Sequence, residues 1–478
     1  MRLSPCLIVT LSIGVNAFYP FEIKLDSPAS ISTLESLQRR FMPWILQPDP
    51  EEDGIDAKPL TLSIKKFPVR RDSYTIVDAN TPTLPTSAPL DQDGHDYSYF
   101  AMVEVGSQKE KMYLALDTGS PSTWVFGSDC TADVCTSHHI FDTDNSTTYV
   151  SNSSTISVGY GSGTIEGSLG QDTLSIADMD VTLTFGQATN ATSAFASYPI
   201  DGILGLGRSG TAGWTIPSFM DAVAKDGYLS SNVVGFSLSR AADDAKIGEV
   251  NFGQIDTTSF DGNLTYTATN SDIWSIPLDD AYVNGSPCGF SGKSATIDTG
   301  TTYILIPPKD AATLFAMVPG SHKSDENYII PCNSTATIEF EFSGIKYSIL
   351  PEDYIGASST DGCVSTIVGH QYSESDAWLV GDVFLKNVYA VFDFDNGQIG
   401  FGARNSTTIV ASGNSTTASA TTNAGSAVTA SSTVIANSTS TATSSTTYAT
   451  SLASLNSGSR FSFTVVPSLL VIIAAIVF

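Results

Sequence analysis

The chain has 478 residues, with 49 acidic side chains against 22 basic ones and a formal net charge of −27. A field of that sign keeps a protein soluble and argues against a nucleic-acid partner. Neither C-x-x-C nor H-E-x-x-H occurs, so the common metal spacings are missing and no cofactor is expected.

Residues 1–17 place Arg2 ahead of an apolar run over 7–15 and end in Val15-Asn16-Ala17, the pattern of a secretory signal peptide. Residues 18–71 turn to mixed charge, with paired basic residues at Arg39-Arg40, Lys65-Lys66 and Arg70-Arg71. Behind them, residues 72–459 hold 12 basic and 41 acidic side chains. A leader studded with basic residues on so acidic a body predicts a propeptide, held while the carboxylates are ionised and loosened as they protonate. Arg70-Arg71 is its expected processing site. Residues 72–95, with Pro82, Pro85 and Pro89, read as a flexible or extended lead-in.

The body, residues 96–404, is all-β in texture: short Val, Ile, Thr, Tyr and Phe runs separated by Gly-Ser, Asp-Gly and Asn-Gly turns. Helices are predicted only over 216–227, where Pro217-Ser218 starts and Gly227 stops the run, and over 308–318. Two stretches organise this body. The apolar run 112–116 ends in Asp117-Thr118-Gly119-Ser120, and 295–297 ends in Asp298-Thr299-Gly300-Thr301, 181 positions later. One Asp-Thr-Gly is an ordinary surface turn. Each of these, however, is fed by a strand and followed by a matching second signal, Asp201-Gly202-Ile203-Leu204-Gly205-Leu206 and Trp378-Leu379-Val380-Gly381-Asp382. That is an internal duplication, with lobes predicted over 96–268 and 269–404. It suggests two carboxylates facing each other across a pseudo-twofold axis.

Two carboxyl groups about 3 Å apart cannot both ionise, so they share one proton and hold an acid and a base at once. The ionised member can take a proton from water while the protonated member donates to a carbonyl oxygen. Thr118 and Thr299 can hydrogen-bond across the axis. Gly119 and Gly300 let backbone N–H groups approach, and Ser120 and Thr301 can add outer hydrogen bonds.

Six ordered motifs carry a resemblance to the pepsin-like (A1) aspartic endopeptidases over residues 96–404. They are Tyr99-Phe100, Leu116-Asp117-Thr118-Gly119-Ser120 with Trp124, Gly159-Tyr160-Gly161-Ser162-Gly163, Ile200 to Leu206, Ile297 to Thr301, and Trp378 to Phe384. The resemblance implies an all-β, bilobal fold with the active-site cleft between duplicated lobes. It also implies Asp117 and Asp298 as catalytic pair, and Tyr160 as a flap tyrosine that closes on substrate and hydrogen-bonds toward Trp124. Substrate contacts are expected at Tyr160, Gly161, Ser162, Gly119, Gly300 and Thr301, with Thr118, Thr299, Ser120 and Trp124 as support. Lys65 or Lys66 would sit near the dyad in the precursor. Cys130 with Cys135, and Cys332 with Cys363, match disulfides of that family. Cys6 leaves with the signal peptide, and Cys288 is left over as a buried thiol or an intermolecular partner. Several fungal relatives that accept a basic residue before the cut carry Asp two positions after the flap tyrosine. Here Ser162 stands there, leaving Glu166, Asp279 or Asp280 as alternative sources of charge or as solvated surface acids.

Nine N-x-[ST] sequons occur, at Asn145, Asn152, Asn190, Asn263, Asn284, Asn333, Asn405, Asn414 and Asn437, and several are expected to be glycosylated. Residues 405–459 contain no Lys, Arg, Asp, Glu, His or Pro. Such Ser/Thr/Ala-rich chain cannot offset the entropy of ordering and reads as an O-glycosylated stalk. The apolar residues 461–478, preceded by Asn456-Ser457-Gly458, fit a GPI-attachment signal over 457–478, with Asn456 as attachment residue, better than a spanning helix. The expectation is therefore a secreted, monomeric, GPI-anchored aspartic endopeptidase made as a zymogen, similar to the fungal yapsins. A catalytically silent relative and a structural wall glycoprotein are the rival readings. A serine hydrolase is disfavoured, because no G-x-S-x-G occurs and His95, His138, His139, His322 and His370 have no triad context.

Overall fold

The computed structural model describes residues 20–26, 76–209, 215–243, 246–269 and 271–404. The signal peptide, the dibasic pairs, Asn456, and the sequons at Asn405, Asn414 and Asn437 lie outside these residues.

Chain order and sheet order repeat. In the first half, Glu110–Asp117 pairs in parallel with Gly202–Gly205, with Leu204 opposite Leu116; in the second, Lys293–Ile297 pairs in parallel with Ala377–Val380, with Val380 opposite Ile297. A short strand closes each unit on the far side: Trp124–Phe126 runs antiparallel to Gly202–Gly205, and Ile304–Ile306 antiparallel to Ala377–Val380. Each of these short strands then takes a parallel neighbour, Met179–Ala191 in the first half and Ile367–Gly369 in the second. The duplication legible in the motifs is thus a duplication of strand pairing.

The carboxylate strands read as continuous apolar runs because both of their faces are covered. Met112, Leu114 and Leu116 join one core cluster and Ala115 joins another, packed around Trp124 and Tyr160. A six-stranded sheet draws on both halves. In it Val388–Asp393 pairs with Val233–Ser237, and Phe260–Ala268 pairs with Gln398–Arg404. The lead-in is not loose from Ile76 on. Ser87–Pro89 adds the last strand to this sheet and Asp91–Gln92 the last strand to the nine-stranded one, with Leu90 buried between them.

Both predicted helices form. Phe219–Asp226 has Ser218 and Asp221 in a reciprocal capping box, and Gly227 ends it in the left-handed region at φ 71°. The second, Pro308–Phe315, starts where proline's fixed φ suits a first turn and stops three residues short of the predicted end. Among the described residues no helix is long and apolar enough to cross a membrane.

Candidate active site

Each Asp-Thr-Gly turn leaves the end of a buried parallel strand, and the two turns meet. Thr118 N donates to Thr299 Oγ1 at 3.1 Å, and Thr299 N donates to Thr118 Oγ1 at 3.0 Å. Each hydroxyl then donates onward to the other half's strand, Thr118 Oγ1 to Ile297 O at 3.0 Å and Thr299 Oγ1 to Leu116 O at 2.6 Å. Four buried hydrogen bonds therefore fix one carboxylate relative to the other.

The glycines are required by that approach. A Cβ on Gly119 would lie 2.6 Å from Asp298 Cγ, and one on Gly300 would lie 2.5 Å from Asp117 Cγ. Each missing side chain is space that the opposite carboxyl occupies. Gly119 N donates to Asp117 Oδ1 at 2.8 Å and to Asp298 Oδ1 at 3.1 Å, so one amide serves both acids.

The two carboxyls are not equivalent. Asp298 receives Gly300 N at 2.8 Å and the Thr301 hydroxyl at 2.5 Å, on different oxygens. Asp117 Oδ1 receives Ser120 N at 3.1 Å, while the Ser120 hydroxyl turns away to Ser122 Oγ at 2.5 Å. Asp117 Oδ2 has no hydrogen-bond partner among the described residues. Both side chains are fully buried. Burial, followed by the Asp298 charge, raises the Asp117 carboxyl well above the usual range. Asp298 is also raised by burial, but its hydrogen bonds oppose the shift. Asp298 thus accepts three donors against two on Asp117, so hydrogen bonding favours the charged form more strongly at Asp298.

The flap is the hairpin of Val150–Tyr160 and Gly163–Ile176, closed by a two-residue turn at Gly161-Ser162. Gly161 is exposed at its tip, and Ser162 is buried under it. The Tyr160 phenol receives Trp124 Nε1 at 3.0 Å and lies 3.1 Å from Ser122 Oγ. Burial, then the Asp117 charge, pushes that phenol upward. A hydrogen-bonded chain thus runs from the Ser120 turn through Ser122 to the flap. Ser122 escaped the sequence reading because it lies outside the Asp-Thr-Gly-Ser run, and the only signal was a second hydroxyl two positions on.

Asp201 opens the second signal of the first half and Asp382 closes that of the second half, and they do different work. Asp201 is buried and accepts Tyr113 N at 2.9 Å and His139 N at 2.8 Å, tying its loop to the first carboxylate strand. Asp382 sits at the end of the second motif, its N–H donating to Thr301 O at 2.8 Å. Its own carboxyl is pushed well up, by burial first and by the Asp298 charge in the same sense, with Lys386 opposing.

Of the acids considered for a charged subsite, Asp279 accepts Gly344 N, and Asp280 accepts the amides of Ala281, Gly289 and Phe290. Both hold turns together. Glu166 is exposed on the flap shaft beside Asn190. The six described sequon asparagines, Asn145, Asn152, Asn190, Asn263, Asn284 and Asn333, are all exposed. Cys130 is bonded to Cys135 and Cys332 to Cys363, while Cys288 is a free, half-buried thiol. Among the described residues no group of three His, Cys, Asp or Glu could hold a metal ion.

Two buried carboxyls sharing one backbone donor, between duplicated β lobes and beneath a hairpin flap, define a site built for acid and base chemistry without a metal ligand set. Comparison with known proteins agrees. The family model described as eukaryotic aspartyl protease matches residues 98–404. "Aspartic-type endopeptidase ctsD" of Aspergillus fumigatus is 48% identical over 446 residues, covering 90% of this chain and 94% of the relative. "Probable aspartic-type endopeptidase CTSD" of Trichophyton verrucosum is 38% identical over 409 residues, 84% of this chain and 79% of the relative. Pepsin A of the dog is 32% identical over 314 residues, 64% of this chain and 81% of the relative. The chain belongs to the eukaryotic aspartyl protease family, and it is an aspartic-type endopeptidase acting on peptide substrates.

Proposed function

We propose that Asp117 and Asp298 are the catalytic pair, and that the enzyme cuts internal peptide bonds at acidic pH through a noncovalent general acid/base mechanism. Ionised Asp298 takes a proton from the attacking water, and Asp117 donates its own to the scissile carbonyl oxygen. The resulting gem-diol collapses as one hydroxyl returns its proton to Asp117 and the amine nitrogen takes the proton held by Asp298, breaking the C–N bond to give the carboxylic acid and the free amine. The observation that carries this reading is the Gly119 amide shared between both carboxylates. Gly119, Gly300 and Thr301 shape the floor under the substrate. Tyr160, Gly161 and Ser162 close over it.

The test is hydrolysis of an unfolded protein between pH 3 and 6, with and without a statine-type transition-state analogue. The proposal expects complete inhibition at an inhibitor concentration near that of the enzyme, whereas hydrolysis untouched by excess inhibitor would remove the dyad from the reaction.

We further propose that the enzyme is made as a precursor, with residues 18–71 as propeptide, and works as a glycosylated monomer at the cell surface. The supporting features are the leader composition, the exposed sequon asparagines, the uncharged segment 405–459 and the apolar stretch 461–478. These features, rather than the catalytic motifs, carry the similarity to GPI-anchored yapsin-type enzymes. Release of activity from intact cells by a phosphatidylinositol-specific phospholipase tests the anchor, and activity that stays with the cells would count against it.

A further inference from the structure

The flap's outer strand has a partner that catalysis does not use. Pro20–Asp26 runs antiparallel along Val150–Tyr160, with Glu22 opposite Gly159, Lys24 opposite Ser157 and Asp26 opposite Thr155. It is the terminal strand of the nine-stranded sheet, and the flap hairpin is next to it. The pairing reaches the flap tip, since Pro20 lies opposite Tyr160.

A second observation concerns the surface being covered. The strand Val150–Tyr160, VSNSSTISVGY, contains no Lys, Arg, Asp, Glu or Pro in its 11 residues. Natural sheets blunt an open edge with charge, proline or brevity, because unpaired N–H and C=O groups recruit any extended chain. The only irregularity in this strand, a bulge between Ser151 and Thr155, falls short of the stretch from Thr155 to Tyr160 that the leader covers, and that stretch has none of those guards, as expected of one paired on both sides.

We infer that the outer edge of the flap is a strand-docking surface whose occupant is the chain's own leader, Pro20–Asp26, and that this docking clamps the flap until the leader is removed. The inference rests on the reading of residues 18–71 as a propeptide. Substrate entry requires the flap to move, and a third strand hydrogen-bonded along its length must move with it or let go. The hold is made by backbone groups, so it does not titrate. Protonation of body carboxylates weakens their attraction for a leader rich in basic residues but leaves this ladder in place. Activation therefore needs cleavage or strand release in addition to low pH.

Site-resolved amide exchange tests the docking. In an antiparallel strand alternate amides face opposite neighbours. In the full chain, every second amide between Thr155 and Gly159 should exchange about tenfold more slowly than in a chain lacking residues 18–27, as for the loss of one hydrogen bond. The intervening amides, bonded to Gly163–Ile176, should not change. Equal exchange in both chains, or a change without the alternation, would overturn the docking. The clamp is tested by Lys24→Pro/Leu25→Pro in the full chain, which must remove one facing N–H without touching either lobe. Self-activation at pH 4 should quicken about tenfold, and an unchanged rate would overturn it. If N-terminal sequencing showed that the active enzyme keeps residues 20–26, the propeptide reading would fall, and with it the removal step, while the exchange pattern would still report the docking.

Discussion

At the residue scale the site is an argument about missing atoms. Gly300 leaves room for the Asp117 carboxyl and Gly119 for that of Asp298, so Gly300→Ala should push Asp117 off its hydrogen bonds. A displacement of about 1 Å at a reacting group costs on the order of 10²-fold, and kcat/KM on a peptide substrate should fall by at least that. Near-normal kcat/KM would mean that the carboxyl tolerates the move. Thr118→Val keeps shape but strands the Thr299 amide and the Ile297 carbonyl, both paired to the Thr118 hydroxyl. Each buried orphan costs about 1–3 kcal/mol, so the denaturant midpoint should drop accordingly with an unchanged m value. A midpoint equal to wild type would show that water or a shift repairs both. These residues were legible because chemistry, support and spacing all sit inside one short motif used twice. Ser122 was not, since its role depends on where Tyr160 arrives from another strand.

At the element scale the flap is tied to the first Asp-Thr-Gly turn through Ser122. Tyr160 is buried among Trp124, Phe195 and Ile203, so truncation to Ala would cost stability as well as turnover, on the order of 3–5 kcal/mol for a buried aromatic. Tyr160→Phe separates the two effects. It removes only the phenol oxygen shared with Trp124 and Ser122, so kcat should fall several-fold while stability drops by no more than the about 1–3 kcal/mol of the orphaned Trp124 Nε1. Equal losses in both would make the hydroxyl purely structural. Longer elements could be read in advance. Ser218 with Asp221 and Gly227 marked one helix at both ends, and Pro308 marked the start of the other. The four-residue helices Pro351–Tyr354 and Asp382–Leu385 were not legible, because four residues show no helical period. The strand made by Pro20–Asp26 was hidden for a different reason: its partner lies more than 120 positions away.

At the scale of the whole molecule, buried charge sets how stability depends on pH. Arg240, from the first half, forms a two-bond grip on Asp353 of the second, with Nη2 to Oδ2 at 2.7 Å, and Lys386 lies 3.1 Å from Asp353 Oδ1 and 3.5 Å from Asp96. Burial works against the Asp353 charge, but Lys386 and Arg240 outweigh it and hold the carboxyl below its usual range. Its contribution is present above the unfolded value near 4 and is lost as pH falls through the lower folded value. Asp353→Asn should therefore destabilise the protein by about 3–5 kcal/mol at pH 5, and a loss under about 1 kcal/mol would contradict the network's role. Asp93, Asp117 and Asp382 behave oppositely. Burial raises all three, so the stability linked to their protonated forms is full below about 4 and is lost as pH rises through their folded values. The melting temperature should thus fall from pH 5 to 7.5, and Asp382→Asn should flatten that decline. A midpoint that rises toward neutrality, or an unaltered slope in the variant, would refute the assignment. The bilobal all-β plan was legible from the duplication. The mixed six-stranded sheet was not, because no local pattern announces that Val388–Asp393 returns to the first half.

The pairing of Asp117 with Asp298 is tested most directly by kcat/KM at pH 4 for Asp117→Asn, Asp298→Asn and the double variant. If one shared proton does the chemistry, each single change should cost on the order of 10²–10⁴-fold, and the double should cost no more than either. A single variant keeping more than a few per cent of wild-type activity, or a double variant whose loss is the product of the two, would contradict it.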